Sequence, residues 1–181
     1  MMVYYLSLGS NMGDRAANIK KTINFLRGTG DVLKISSIYE TEPQGMAPGA
    51  GYFYNLVIGL QTSLSPHDLL EEIKQFEKQM GRDMTNSHNQ PRTIDIDILL
   101  AEDQVVNTEN LVIPHKLMHK RAFVLVPLNE IAPHVIHPVL KKTVKEILSG
   151  LQSTEMVNKN FSSCPSCLRG KIKSAGIVNF F

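Results

Sequence analysis

An alternating stretch near the middle of the chain limits its possible structures most strongly. Residues 94–100 read Ile-Asp-Ile-Asp-Ile-Leu-Leu, so aspartates alternate with isoleucines. In an extended strand this alternation places Asp95 and Asp97 on one face, about 6–7 Å apart, and the isoleucines on the other. Neighbouring carboxylates raise each other's pKa and destabilise a half-buried sheet unless a nearby cation compensates for their charge. The stretch therefore predicts a β-strand with either a solvated aspartate pair or a divalent metal site.

Two leucines favour the metal site over the solvated pair. Leu99 and Leu100 continue the stretch as a core strand would, and the polar face of a core strand usually serves a ligand. Magnesium is the natural ion, because hard cations choose carboxylate oxygens and keep waters that a phosphate substrate can replace.

Size and charge place the chain among ordinary soluble proteins. At 181 residues it is expected to form one domain, and its formal net charge of +2 is too small to indicate nucleic acid. We expect no membrane partner, because no apolar run has the length of a membrane span and the N-terminus does not resemble a signal peptide. A cytoplasmic monomer is predicted. Cys164 and Cys167 form a lone C-x-x-C, interpreted as incidental thiols because zinc would need two more ligands.

Local patterns predict the element order β α β β α β. The strands are expected at residues 3–8, 32–39, 52–62 and 95–100, and the helices around 19–26 and 65–81. A small hairpin at 105–113, a short helix near Pro127 and a last helix at 144–151 follow. This order is typical of an α+β, ferredoxin-like fold, a mainly antiparallel sheet with helices packed mainly on one face. We predict a domain at 1–153 and a C-terminal tail of uncertain order at 154–181.

Two polar side chains in these elements are ambiguous from the pattern alone. Asn55 interrupts the apolar third strand, and a satisfied edge amide is as plausible there as a ligand contact. Glu77 lies at the margin of the apolar stripe of the second helix. Periodicity favours an exposed ion pair with Lys74 at this position, which would contribute only a few tenths of a kcal/mol.

A histidine ends the predicted hairpin. A single histidine at a strand end is more often structural than catalytic. However, four basic or titratable residues follow His115, namely Lys116, His119, Lys120 and Arg121. Such a cationic neighbourhood suits phosphate groups.

The residues around the aspartates also resemble a known family. The stretch 91–100 is similar to the signature of the 6-hydroxymethyl-7,8-dihydropterin pyrophosphokinase family of folate biosynthesis. Further blocks are similar in order and spacing, at residues 9–11, 36–43, 53–55, 81–82, 113–115, 121–123 and 127–128. Together they cover residues 1–150, and several short blocks in the right order are more specific than any one of them.

The resemblance implies transfer of diphosphate from ATP to a dihydropterin, with release of AMP. ATP and the dihydropterin are then the partners, and Asp95 and Asp97 hold two Mg²⁺ ions bound with ATP. The catalytic residues implied are Arg82, Arg92, Asp95, Asp97 and Arg121. The nucleotide-binding residues implied are Lys74, Glu77, Arg92, Ile98, His115 and Arg121. The pterin-binding residues implied are Thr41, Pro43, Gln44, Gly45, Phe53, Asn55, Asp95 and Phe123.

The chain departs from the family pattern at a few positions. Met84, Asn89, Gln90, Lys74 and Asn110 replace residues that are common in the family. Slower turnover or weaker nucleotide affinity are the hypotheses that these departures motivate.

Two other functions share the aspartate pair. One is a nucleotide-sugar transferase that binds its metal through D-x-D, which would ordinarily need a longer chain. The other is a non-catalytic ferredoxin-like ligand-binding module, in which the aspartates are solvated and the aromatic residues belong to the core.

Overall fold

The computed structural model describes residues 1–43, 51–81, 91–153 and 156–159. Its strands are β1 (Met2–Ser10), β2 (Asp31–Ile35), β3 (Tyr39–Thr41), β4 (Phe53–Thr62), β5 (Asp95–Ala101), β6 (Val106–Asn107), β7 (Val112–Ile113) and β8 (Val157–Lys159). Its helices are α1 (Arg15–Thr29), α2 (Pro66–Gln79), α3 (Ala122–Ile131) and α4 (Val144–Ser149), with a 3₁₀ turn at Met118–Lys120. None of the helices in these ranges is long and apolar enough to cross a membrane.

The main sheet has the strand order β5-β1-β4-β3-β8, and β2 also pairs with β4. Every neighbouring pair in it is antiparallel. In a βαββαβ chain, each helical crossover then joins two parallel strands that have an antiparallel strand between them. The predicted ferredoxin-like core is confirmed.

Helices cover both faces of this sheet. On one face, α1 and α2 pack against alternate residues of the central strands, including Leu6, Leu8 and Leu56. On the other face, α3 and α4 pack against Val57 and Leu99. The sequence predicted helices mainly on one face, but the apolar side chains of Val57 and Leu99 need cover of their own.

Side chains at the helix starts explain where the helices begin. Asp14 caps α1 by accepting the N–H of Ala17 at 2.9 Å. Ser65 caps α2, with proline at the first position, and Thr143 and Glu146 form a capping box at α4. Each cap satisfies backbone donors that have no partner within the helix.

The predicted second strand is divided in two. Residues 36–38 leave the strand conformation between β2 and β3. The Ser36 hydroxyl accepts the N–H of Val57 at 2.9 Å, and Ser37 binds the Glu130 carboxylate through its N–H and its hydroxyl. The Ser36 N–H still donates to the Val57 carbonyl at 2.9 Å, so side-chain hydrogen bonds replace part of the regular ladder at this point, which strand propensity alone does not indicate.

Other element bounds also differ from the predictions. Helix α1 extends beyond the predicted residues 19–26 at both ends, with Gly28 inside it and Gly30 after it. The helix around Pro127 spans ten residues rather than one turn. The predicted hairpin corresponds to β6 and β7, which pair with each other. Beyond residue 153, β8 pairs with β3 at the edge of the sheet, and the domain boundary at 153 stays a prediction.

Candidate active site

The two aspartates lie on the sheet face that α3 covers in part. Asp95 pairs across the sheet with Gly9, which in turn pairs with Asn55. Directly paired residues point to the same face, so the three form one row. Asp95 and Asp97 are half-buried, whereas Ile94, Ile96 and Ile98 are buried. The alternation predicted from the sequence is confirmed.

The end of β1 fixes the segment that leads into β5. The Ser10 hydroxyl donates to the carbonyl of Thr93 at 2.6 Å. The Asn11 side-chain oxygen accepts the N–H of Arg92 at 2.7 Å, and the Asn11 N–H donates to the Arg92 carbonyl at 3.2 Å. These bonds hold the backbone of Arg92, whose guanidinium donates to Asp95 at 2.5 Å. A cation therefore does stand beside the aspartate pair.

The aspartate pair fits magnesium better than a metal held entirely by protein. Within residues 1–43, 51–81, 91–153 and 156–159, no three histidine, cysteine, aspartate or glutamate side chains come together as a metal-binding group. Magnesium is commonly bound by one or two carboxylates, with substrate phosphates and waters completing its shell. Asp95 and Asp97 supply this set of hard oxygen ligands on one face of β5.

His115 lies beside β5, where its backbone N–H donates to the Leu99 carbonyl at 3.0 Å. Burial, and then the positive charge of Arg121, lower the pKa of His115 to about 4, although the Asp95 charge opposes this shift. The ring is therefore neutral at physiological pH. Its Nδ1 accepts the N–H of Leu117 at 3.2 Å. The proton then sits on Nε2, which makes that atom a hydrogen-bond donor.

Arg121 immediately precedes α3, and Phe123 lies in the first turn of that helix. The Arg121 guanidinium is 5.5 Å from the centre of the Phe123 ring. The 3₁₀ turn that precedes Arg121 brings the arginine back toward His115, and the positive charge of Arg121 lowers the pKa of the histidine. A cation and an aromatic ring therefore stand together at the start of α3.

Three predicted pterin-binding residues meet at the ends of β3 and β4. Thr41 pairs with Phe53 across the two strands, and the Asn55 amide donates to the Thr41 hydroxyl at 2.7 Å. Asn55 is buried on an interior strand, so its interpretation as an edge amide was wrong, although its amide nitrogen does have a partner in Thr41. A Cβ on Gly9 would lie 3.1 Å from the Asn55 oxygen and 3.7 Å from the Phe53 ring. Glycine therefore leaves space between Asp95 and Asn55.

Glu77 is not the exposed partner of Lys74 that periodicity favoured. Its side chain is 3% exposed and accepts the backbone N–H of Ile96 at 2.8 Å. Lys74 instead lies 3.7 Å from Glu71. Because β5 is an edge strand, its outward N–H groups need a partner other than a strand, and Glu77 provides one. Ile98, two residues along, turns its backbone to the same edge.

Some predicted residues cannot be placed. Arg82, Gln44 and Gly45 lie outside the described residues, as do Met84, Asn89 and Gln90. Pro43 lies two residues after the end of β3, beyond Glu42. Sequence reasoning assigned no role to Ser10 and Asn11, although the Gly-Ser-Asn block at the end of β1 was part of the family resemblance.

The fold and these groups define a class of protein. A ferredoxin-like α+β sheet that carries a carboxylate pair beside arginine and histidine side chains is suited to phosphoryl transfer, where positioning and charge neutralisation supply most of the catalysis. Residues 5–133 match the model of a family described as 7,8-dihydro-6-hydroxymethylpterin-pyrophosphokinase (HPPK). The chain belongs to this family, so the predicted enzyme class is confirmed.

Individual relatives agree with the family. The chain is 45% identical over 146 residues to the 2-amino-4-hydroxy-6-hydroxymethyldihydropteridine pyrophosphokinase of Aquifex aeolicus, and the match covers 81% of this chain and 90% of the relative. The Bacillus subtilis protein of the same name is 42% identical over 135 residues, covering 74% and 80%. The crystal structure of Plasmodium falciparum HPPK-DHPS with pteroate superposes with a TM-score of 0.64 at 21% identity. That superposition covers 82% of this chain but 42% of the Plasmodium chain, and it supports the fold alone.

Proposed function

We propose that the protein transfers the terminal diphosphate of ATP to the hydroxymethyl group of 6-hydroxymethyl-7,8-dihydropterin. The hydroxyl oxygen forms a bond to the β-phosphorus, the bond from that phosphorus to the α–β bridging oxygen breaks, and AMP and the hydroxyl proton leave. The reaction is a step of folate biosynthesis. The observation that carries the proposal is the row Asp95–Gly9–Asn55, which sets a carboxylate and an amide on either side of an open glycine.

The pterin lies at the Asn55 side of this row. Because the Asn55 amide nitrogen donates to Thr41, its oxygen remains as an acceptor for an N–H group of the pterin edge. Phe53 and Phe123 stack on the flat ring, a use of aromatic faces that suits a polar heterocycle. Further hydrogen bonds to that edge come from the backbone of Thr41, Pro43, Gln44 and Gly45. Asp95, at the other end of the row, faces the hydroxymethyl group.

The triphosphate of ATP lies at the β5 end of the row Asp95–Gly9–Asn55. Asp95 and Asp97 would hold two magnesium ions, which supply charge neutralisation and hold the phosphates in line. Arg92, Arg121 and Arg82 contact phosphate oxygens, and His115 donates to one of them through Nε2. This hydrogen bond orients the phosphate. The arginines stabilise negative charge as it moves to the leaving AMP.

The nucleotide base lies along the outer edge of β5. Glu77 already binds the Ile96 N–H at this edge. Ile98 presents its backbone two residues further on, in the position to hydrogen-bond a base, and Lys74 stands on the same helix as Glu77. The proposed monomer is consistent with a single chain that supplies both the pterin and the nucleotide residues.

One incubation tests this function. Protein, ATP, magnesium and 6-hydroxymethyl-7,8-dihydropterin should give AMP and pterin diphosphate in equal amounts. Absence of AMP at high protein concentration would contradict the proposal. Nucleoside diphosphate released from a nucleotide sugar would then favour the transferase, and pterin binding without turnover would favour the non-catalytic module.

A further inference from the structure

Arg15 joins three groups near the ends of β3 and β4. It is the first residue of α1. Its guanidinium donates to the Glu40 carboxylate at 2.9 Å and to the Tyr52 carbonyl at 2.7 Å. The same guanidinium lies 3.8 Å from the centre of the Tyr54 ring. One side chain therefore ties the end of β3 to the residue that precedes β4.

These contacts lie directly behind the proposed pterin residues. Glu40 pairs with Tyr54 across the two strands, and the next pair is Thr41 with Phe53. Successive residues of a strand point to opposite faces, so Glu40 and Tyr54 face α1 while Thr41 and Phe53 face away from it. Tyr54 packs with the core on the α1 side, in agreement with this assignment. Arg15 thus holds the two strands without reaching the pterin face.

The start of α1 is itself firmly placed. The Asp14 cap fixes its first turn, and the Asn18 amide donates to the Met12 carbonyl at 2.9 Å. Ile19, one turn after Arg15, is fully buried against the sheet. The guanidinium is therefore presented from a rigid support, and its side chain is only 26% exposed.

We propose that Arg15 is a positioning residue for the pterin side of the reaction. It anchors the end of β3 and the residue that enters β4 to the start of α1, and so holds Thr41, Phe53 and Asn55 in place. This inference rests on the proposed function. Arginine suits this position because its Nη1 donates to a carboxylate and a carbonyl while the planar guanidinium stacks on a ring, and a lysine ammonium has no planar face to stack.

Steady-state kinetics of Arg15→Lys and Glu40→Gln test this role. We expect the KM for the pterin at saturating ATP to rise about 5- to 20-fold in Arg15→Lys, as the loss of a charge-assisted hydrogen bond would give. The KM for ATP should stay within about twofold, because the contacts that Arg15 makes with Glu40, Tyr52 and Tyr54 all lie on the pterin side. Glu40→Gln should act in the same direction with a smaller effect, and the double variant should be less than additive.

A matched control and a second readout keep the test decisive. Arg27→Lys, in the last turn of the same helix, should leave both KM values unchanged. Amide hydrogen exchange at Thr41 and Phe53 should be faster in Arg15→Lys than in wild type. Equal increases in both KM values, or unchanged pterin KM and exchange in a protein that makes AMP, would overturn the inference and leave the proposed function standing. If the wild-type protein makes no AMP, the proposed function fails. In that case the role of Arg15 is judged by hydrogen exchange alone, and equal exchange rates in Arg15→Lys and wild type would overturn it.

Discussion

The carboxylate of Glu77 on α2 accepts the backbone N–H of Ile96 on β5 at 2.8 Å. This bond joins the helix to the edge strand at the residue between Asp95 and Asp97. The side chain is 3% exposed, and a buried carboxylate persists only where hydrogen bonds compensate for its lost hydration. The glutamate therefore supports the strand that carries the aspartate pair.

Removal of this acceptor should destabilise the protein. Glu77→Ala leaves a buried N–H unsatisfied, and we expect the free energy of unfolding to fall by about 1–3 kcal/mol. Urea denaturation measures the change. Glu77→Gln keeps an acceptor oxygen and should lose less, and Glu71→Ala on the exposed side of α2 is the control. An equal loss in Glu71→Ala and Glu77→Ala would contradict the structural role of the bond.

An added methyl group at Gly9 should weaken binding of the pterin but not of ATP. In Gly9→Ala the new Cβ would lie 3.1 Å from the Asn55 oxygen, closer than ordinary contact distance. We expect the KM for the pterin to rise about tenfold, equivalent to ~1.4 kcal/mol, with little change in the KM for ATP. Gly59→Ala, on the interior strand β4, is the matched control because its nearest neighbour would be 3.6 Å away. Identical pterin KM values in the two variants would argue against the open row.

The acid sensitivity of the fold should depend on Glu130. Burial alone would raise the pKa of this carboxyl, but hydrogen bonds from the hydroxyl and N–H of Ser37 and from Tyr39, together with the Lys159 charge, lower it below 4.5. A carboxyl whose pKa is lowered by folding stabilises the protein at pH values above its pKa in the unfolded chain. This stability is lost as the pH falls through its pKa in the folded protein. Glu130→Gln should therefore be less stable than wild type at pH 7, and the difference should shrink below about pH 4.5.

Chemical denaturation of both proteins at several pH values measures this difference. Glu109→Gln, at an exposed turn position, should track wild type throughout. A Glu130→Gln stability gap that stays constant from pH 7 to pH 3 would show that the carboxylate charge plays no part.

His115 should titrate far below an ordinary histidine. Burial and the Arg121 charge lower its pKa to about 4, so a ring resonance followed by NMR should have its midpoint near that pH. In Arg121→Gln the midpoint should rise, because one of the two causes is removed. A lowered histidine pKa also means that stability falls as the pH drops from 6.5 toward 4, where the unfolded chain binds a proton that the folded chain does not. A wild-type midpoint near 6.5 would show that the ring is solvated.

Local patterns were enough to predict the elements that carry their own signal. The strands around Leu6, Val57 and Asp97 and the first two helices follow from alternation, apolar stripes and caps. Spacing alone placed both aspartates on one face. The order of these elements then favoured the ferredoxin-like sheet, because few topologies accommodate it.

The features that sequence missed depend on distant partners. Glu77 is buried because an edge strand needs an acceptor, although the two lie 19 positions apart in the chain. Ser36 and Ser37 break a strand because Val57 and Glu130 bind them. Neither β8 nor the Arg15 contacts has a local signal, since a three-residue strand exists only through its pairing with β3. Such tertiary hydrogen bonds leave no periodic trace in the sequence.

The magnesium dependence of AMP formation in Asp97→Asn tests the central claim most directly, that the β5 aspartates hold the metal for diphosphate transfer. Asp97 is the target, and Asp103→Asn, at the exposed turn after β5, is the control. With the fold verified by circular dichroism, kcat should fall about 10²- to 10³-fold in Asp97→Asn even at saturating magnesium, and Asp103→Asn should match wild type. An Asp97→Asn protein with wild-type kcat and an unchanged magnesium requirement would contradict the account.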